Sequence, residues 1–195
     1  MGRRSDHTRE ELRELIIAEG HRQLAQTGFA RFSAREVAKG IGYSIGTLYN
    51  VFGSYDDLLL AINGRTLELW RACLEQRLGQ VRDGGDRLEA AIAAYFDFAL
   101  ANRNAWAALY DFRLPAEATV PEAYQARVRA IFDVVVREVA AALPEARRRD
   151  APALARSLLA TVHGHCFFTL NGTFAMLGES DPLSAAMARV REAVG

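Results

Sequence analysis

Cysteine is scarce: the 195 residues include two, Cys73 and Cys166. A pair in a chain of this size does not make a disulfide framework, so a reducing, cytoplasmic setting is expected. Long apolar runs are also missing, although half of the residues are hydrophobic. No stretch approaches the roughly 20 apolar residues that cross a bilayer, so no membrane partner is expected. The opening MGRRSDHTREEL has no apolar segment behind its arginines, unlike a secretory signal. Asp6 stands where the myristoylation pattern requires serine or threonine. Lysine occurs once, at Lys39; arginine supplies the remaining basic charge, as the codon usage of a GC-rich genome would. Net charge is zero, so the global positive excess of many nucleic-acid binders is lacking. Residues 1–53 hold eight basic and six acidic groups, an asymmetry too weak to identify a DNA binder by itself.

Catalytic signatures are absent too. There is no Gly-rich phosphate loop and no Gly-x-Ser-x-Gly elbow. His163-Gly164-His165-Cys166 suggests a metal, but only positions 163 and 166 share a helical face, and no nearby carboxylate completes four ligands. Nucleophilic catalysis by Cys166 would need a base and an orienting group at hydrogen-bond reach. No catalytic residue, metal or cofactor is therefore expected, and the chain does not read as an enzyme. Alternating strand patterns, repeats and low-complexity tracts are likewise not found.

What is present is helical periodicity. Leu12, Ile16, Gly20 and Leu24 predict a helix over about 8–26, stopped by Gly28. Ser54 and Asp57 open a long helix over about 55–78. Residues 83–86, Asp-Gly-Gly-Asp, form a break. Apolar-periodic segments follow at 88–100, 106–110 and 128–139, with loops at 115–121 and 144–150. A continuous helix is expected over 152–176, broken by Gly178, and a last one from Pro182. The fold class is therefore all-α, with about nine helices. Residues 1–7 read as a loose arm in which Arg3 and Arg4 are within reach of a minor groove.

The stretch 33–52, SAREVAKGIGYSIGTLYNVF, carries the chemistry. Ser33 with Glu36 reads as a capping box, so a helix should start at Ala34. Val37, Ala38 and Ile41 face inward at helical spacing. Gly42 supplies a sharp turn, and Ser44 caps a second helix that presents Leu48 and Val51 to the first. This is a helix-turn-helix pattern, whose second helix enters the major groove. There Ser44, Ile45, Gly46 and Thr47 approach the DNA. Ile45 suits a thymine methyl and Asn50 a bidentate contact to adenine. Ser33, Arg35 and Lys39 flank the groove.

Gly-Tyr-Ser-Ile-Gly-Thr-Leu-Tyr-Asn-Val-Phe (42–52), with Thr27-Gly28-Phe29, Ser33, Val37-Ala38 and Leu58, resembles the recognition segment of the tetracycline-repressor (TetR) family of transcriptional regulators. The likeness covers about the first third of the chain. It implies a DNA-binding domain over 8–66, with 33–52 as the reading motif, and an effector-binding and dimerisation domain over 67–195. It implies phosphate contacts from Thr47 and Tyr49. Family members often carry lysine where this chain has Tyr55, which removes one expected phosphate contact.

The resemblance also implies a homodimer on an operator, through a four-helix interface from the last two helices. Leu154, Leu158, Met187 and Val190 are its candidate contacts, the alternative being burial in the chain's own core. A pocket for a small apolar or aromatic effector is implied in the larger domain. Its candidate lining is Trp70, Tyr95, Trp106, Tyr110, Phe132, His163, Phe167 and Asn171, against plain packing as the alternative. The expected function is that of an effector-released repressor. A DNA binder without an effector, and a helical enzyme with a vestigial motif, are the competing readings.

Overall fold

Side-chain caps set where the helices begin. In the computed structural model, which describes residues 7–82 and 86–195, Thr8 accepts from the Glu11 backbone N–H and Glu11 bonds back to the Thr8 N–H. This complete capping box starts α1 (Arg9–Thr27). Gly28, at φ +76°, ends it, and a 3-10 turn (Phe29–Arg31) leads to α2 (Ala34–Gly40). Ser33 accepts the Glu36 N–H at 3.4 Å, but the reciprocal half of the predicted box is not made. Glu36 instead reaches Lys39 at 3.7 Å.

Next come α3 (Ile45–Phe52) and α4 (Tyr55–Gly79). Ser54 caps α4 through the Asp57 N–H at 3.0 Å, and its own hydroxyl donates to the Asp57 carboxylate at 2.6 Å. The remaining helices are α5 (Arg87–Ala101), α6 (Arg103–Asp111), α7 (Glu122–Ala142), α8 (Ala151–Leu170), α9 (Thr173–Leu177) and α10 (Pro182–Val194). These make ten helices among the described residues, with no strand. Residues 145–150, expected as a plain loop, coil into a 3-10 turn.

The helix expected over 152–176 is interrupted. Gly172 adopts φ +79°, and the Asn171 side chain accepts from the Thr173 N–H at 3.0 Å and its hydroxyl at 2.6 Å. That Asx turn restarts the chain as α9, and Gly178 then ends α9 at φ +76°. Most of the predicted Asp-Gly-Gly-Asp break, residues 83–85, and the arm carrying Arg3 and Arg4 lie outside the described residues.

Two compact units divide the chain differently from a single boundary near 66. The first joins residues up to Glu68 with Asn102–Gln125; the second joins Leu69–Ala101 with Ala126–Gly195. In the first, Leu12, Ile16, Leu24, Val37, Leu48 and Ile62 make the centre of one buried cluster. Asn104 fastens α6 to α1 by donating to the Ala25 carbonyl at 2.8 Å, and Asn63 of α4 donates to the Ala108 carbonyl at 3.3 Å. In the second, Glu138 of α7 is 4% exposed and accepts two bonds from Arg87, at 2.6 and 3.0 Å. Arg87 also donates to the Leu78 carbonyl at 3.0 Å, so one guanidinium ties α4, α5 and α7 together.

Candidate DNA-reading surface and effector cavity

The α2–α3 pair is built from its smallest residues outward. Val37 and Ala38 are buried against Leu48, and the small Ala38 side chain lets the helices meet closely. Gly42 adopts φ +76° with nothing within 4 Å of a side chain placed there. Conformation, not space, therefore demands glycine. Tyr43 then donates its N–H to the Ala38 carbonyl at 2.9 Å, closing the turn. Ser44 caps α3: its hydroxyl accepts from the Thr47 N–H at 3.2 Å and lies 3.0 Å from the Thr47 hydroxyl. Gly53, at φ +88°, ends α3 with a bond to the Tyr49 carbonyl at 2.8 Å.

Arg35, Lys39, Ser44, Gly46, Tyr49 and Asn50 are exposed along this pair. Ser33, Ile45 and Thr47 are half-buried. Ile45 packs against the core, which leaves less of it to face a groove, and the Ser33 hydroxyl is engaged in its cap. The chain itself does not require glycine at position 46, where an added Cβ would meet only the Ser44 hydroxyl at 3.6 Å. Two supports escaped the sequence reading. His7 Nδ1 lies 3.0 Å from the Tyr43 hydroxyl, and the Arg13 guanidinium sits 5.3 Å from the Phe52 ring centroid. The first ties the residue before the α1 cap to the turn between α2 and α3, and the second ties α1 to the end of α3. The partners are 36 and 39 positions apart, a pairing no local pattern announces. The Tyr55 ring lies tilted against Phe32 at 6.3 Å, and burial raises its pKa, so its phenol stays neutral.

The second unit contains an apolar cavity of about 70 Å³. Trp70 and Leu74 of α4 face Leu88, Ile92 and Tyr95 of α5 across it. Val135 and Val139 of α7, Leu158 and Val162 of α8, and Val190 of α10 also line it. No charged side chain lines it among the described residues. The Tyr95 hydroxyl is 2.8 Å from His163 Nδ1, and burial holds the His163 pKa below its ordinary value, so the imidazole is neutral at pH 7.

Of the expected lining, Trp70 and Tyr95 are on the wall, and His163 is bonded to Tyr95. Trp106 and Tyr110 belong instead to the first unit, where their rings pack edge-on at 5.9 Å. Phe132 is half-buried off the wall, Phe167 is 48% exposed, and Asn171 forms the α8–α9 turn. The candidate dimer contacts are largely covered within the chain itself. Leu158, Met187 and Val190 are buried in their own unit because α8 and α10 turn those faces toward α5, and Leu154 is half-buried. His165 Nδ1 bonds the Thr161 carbonyl at 2.8 Å, and Cys166 is buried. Among the described residues, no cluster of three or more His, Cys, Asp or Glu side chains could hold a metal.

Residues 16–62 match the family model for bacterial regulatory proteins of the tetR family. Residues 88–190, more than half of the chain, match the tetracyclin repressor-like C-terminal domain. The chain belongs to the TetR family of transcriptional regulators. This TetR-family protein is a DNA-binding regulator and not an enzyme. It is 28% identical over 160 residues to the HTH-type transcriptional regulator BetI of Burkholderia ambifaria, with 80% of each chain covered. It is 27% identical over 134 residues to the HTH-type transcriptional activator FasR of Mycolicibacterium smegmatis, covering 67% of this chain and 61% of that one. Its fold matches the structure of a protein of unknown function from Rhodococcus sp. RHA1 at a TM-score of 0.70 and 25% identity, with 98% and 97% of the two chains covered. Among the described residues, no helix of the regulator is long and apolar enough to cross a membrane.

Proposed function

We propose that this TetR-family regulator is a cytoplasmic homodimeric repressor, released from a palindromic operator when a small, mostly apolar molecule fills the cavity of the second unit. The observation that carries the reading is the position of α4. Leu58, Leu59 and Ile62, in its first half, share a core with Leu48 of α3, while Trp70 and Leu74, in its second half, wall the cavity. A ligand that reseats Trp70 acts on the helix against which the reading helix packs. Release requires that the ligand prefer the state with mismatched reading heads, and DNA must then weaken the ligand by the same factor.

On the DNA side, Asn50 and the outer part of Ile45 take the base contacts. Ser44, Gly46, Thr47 and Tyr49 take bases or phosphates at the N-terminal end and flank of α3, with Arg35 and Lys39 on the rims. Ser33 acts through its cap on α2. For the dimer surface, the exposed apolar side chains at the end of α8 and on α9 are better candidates than the buried Leu158, Met187 and Val190 and the half-buried Leu154. Phe167 and Phe168 are 48% and 40% exposed, and Met176 and Leu177 80% and 70%.

Operator affinity measured with and without candidate effectors tests the release, and a reporter gene separates repression from activation. An occupied cavity with unchanged operator affinity would overturn the release mechanism. A binder without an effector is the second reading. It draws on the cavity's small volume, about half the 150 Å³ or so of an apolar cavity that admits benzene.

A further inference from the structure

The apolar cavity does not stand alone. A second chamber of about 250 Å³ lies against it in the same unit, and Leu88, Ile92 and Val190 line both. These three side chains form the partition. The outer chamber is also lined by Ala142, Met187 and Val194, and its rim carries Asp86, Glu89 and Arg191. Arg191 of α10 is bonded to Glu89 of α5 and lies 3.8 Å from Asp86. Two carboxylates thus share one guanidinium, leaving the rim one negative charge in excess. Neither chamber alone reaches the roughly 300 Å³ of a small-molecule site, and together they just pass it.

We infer that the effector is an elongated amphiphile, with its hydrocarbon chain through the partition into the inner chamber and an amine head at the Asp86–Glu89–Arg191 rim. This rests on the effector reading above. The inner wall has no charge to pair with an ion, so a charged group there would be desolvated without compensation. Hydrocarbon is the fitting occupant, each methylene moved from water being worth about fourfold in affinity. At the rim the excess charge selects the sign of the head. Asp86, Glu89 and Arg191 have side chains 48%, 46% and 59% exposed, so this selection is several-fold, not larger, and it weakens with salt.

The test uses octylamine, octanol and octanoate, which share a chain and differ in head charge at neutral pH. The chain has two tryptophans, so Trp106→Phe leaves Trp70 on the inner wall as the only indole reporter. Its emission should shift with all three probes at low salt, octylamine binding tightest and octanoate weakest, and the spread should contract at high salt. Ala91→Leu, which fills the inner chamber, should weaken all three about tenfold. Ala91→Val serves where the larger side chain disturbs folding, as judged by the thermal melt. Glu89→Gln removes the excess negative charge and should erase the preference for the amine. Equal binding of the three probes, tightest binding of octanoate, indifference to the Ala91 substitution, or no binding to a cooperatively folded protein would each overturn the two-chamber assignment. Operator affinity measured in the same samples separates the two ideas. Octylamine that binds with the expected pattern but leaves operator affinity unchanged refutes the effector reading and not the chambers.

Discussion

Gly46→Ala separates what the fold needs from what DNA needs. Gly46 is the second residue of α3, exposed, and its φ is not positive. A methyl group there would meet only the Ser44 hydroxyl, at an ordinary 3.6 Å. Alanine is therefore compatible with the backbone, and glycine costs a helix interior about 1 kcal/mol relative to alanine. Close to the helix start the gain is smaller, roughly 0.3–1 kcal/mol, or a melting temperature about 1–4 °C higher for a chain of this size. The same methyl would stand between the α3 backbone and the DNA, at the end where N–H groups point outward. Loss of one close backbone contact predicts operator binding weaker by about tenfold, near 1.4 kcal/mol. Thermal unfolding followed by circular dichroism reads the first number, and fluorescence anisotropy on operator duplex at fixed salt reads the second. A variant that is more stable and binds operator as tightly as the parent would refute close backbone approach at Gly46. A variant that is less stable would show that the chain itself requires this glycine.

The other predictions concern contacts on the two units. Tyr49→Phe should weaken binding to all duplex sequences alike, whereas Asn50→Ala should relax the preference at one base pair per half-site; a selection profile uniform across positions for Asn50→Ala contradicts base reading. Gly20→Ala should destabilise by about 1–3 kcal/mol, because its Cβ would lie 2.5 Å from Ile62 Cδ1 in a fully buried contact, and Ile62→Val in the same chain should restore part of it, both read by urea denaturation. Burial lowers the pKa values of His163 and His21, Arg65 adding to the effect at His21. The unfolded chain therefore takes up protons near pH 6.5 where the folded chain does not, so stability is full above about 6.5 and falls as pH drops through it. Urea midpoints that stay flat from neutral pH down to about 5.5 would contradict this, and His163→Gln should reduce the slope.

The reading motif was legible because its determinants are local. A hydroxyl cap, three apolar positions and one glycine with φ +76° lie within ten residues, and each acts on its neighbours. The break after Leu170 was also written locally, in Asn171-Gly172, but the apolar residues Phe174 and Met176 continue the helical period and masked it. The wall of the cavity was not legible in the same way. Leu158, Met187 and Val190 have the periodicity of any buried stripe, and periodicity does not distinguish a face turned to its own core from one turned to a partner. Trp106 and Tyr110 are aromatic like Tyr95, but residue type does not tell which unit a ring enters: α6 packs in the first unit while α5 packs in the second. Arg87 and Glu138, 51 residues apart, pair for tertiary reasons that no spacing rule carries.

In the proposed dimer, α3 reads DNA twice, once in each half of a symmetric pair. Selection of bound duplexes from a random pool by the full-length protein, at one fixed salt concentration, tests it most directly. The expected product is a palindrome with half-sites centred about 34–36 Å apart, or a multiple of that, and a change confined to one base pair in each half when Asn50→Ala is selected in parallel. Enrichment of a single unpaired site, or of no sequence at all, would contradict it.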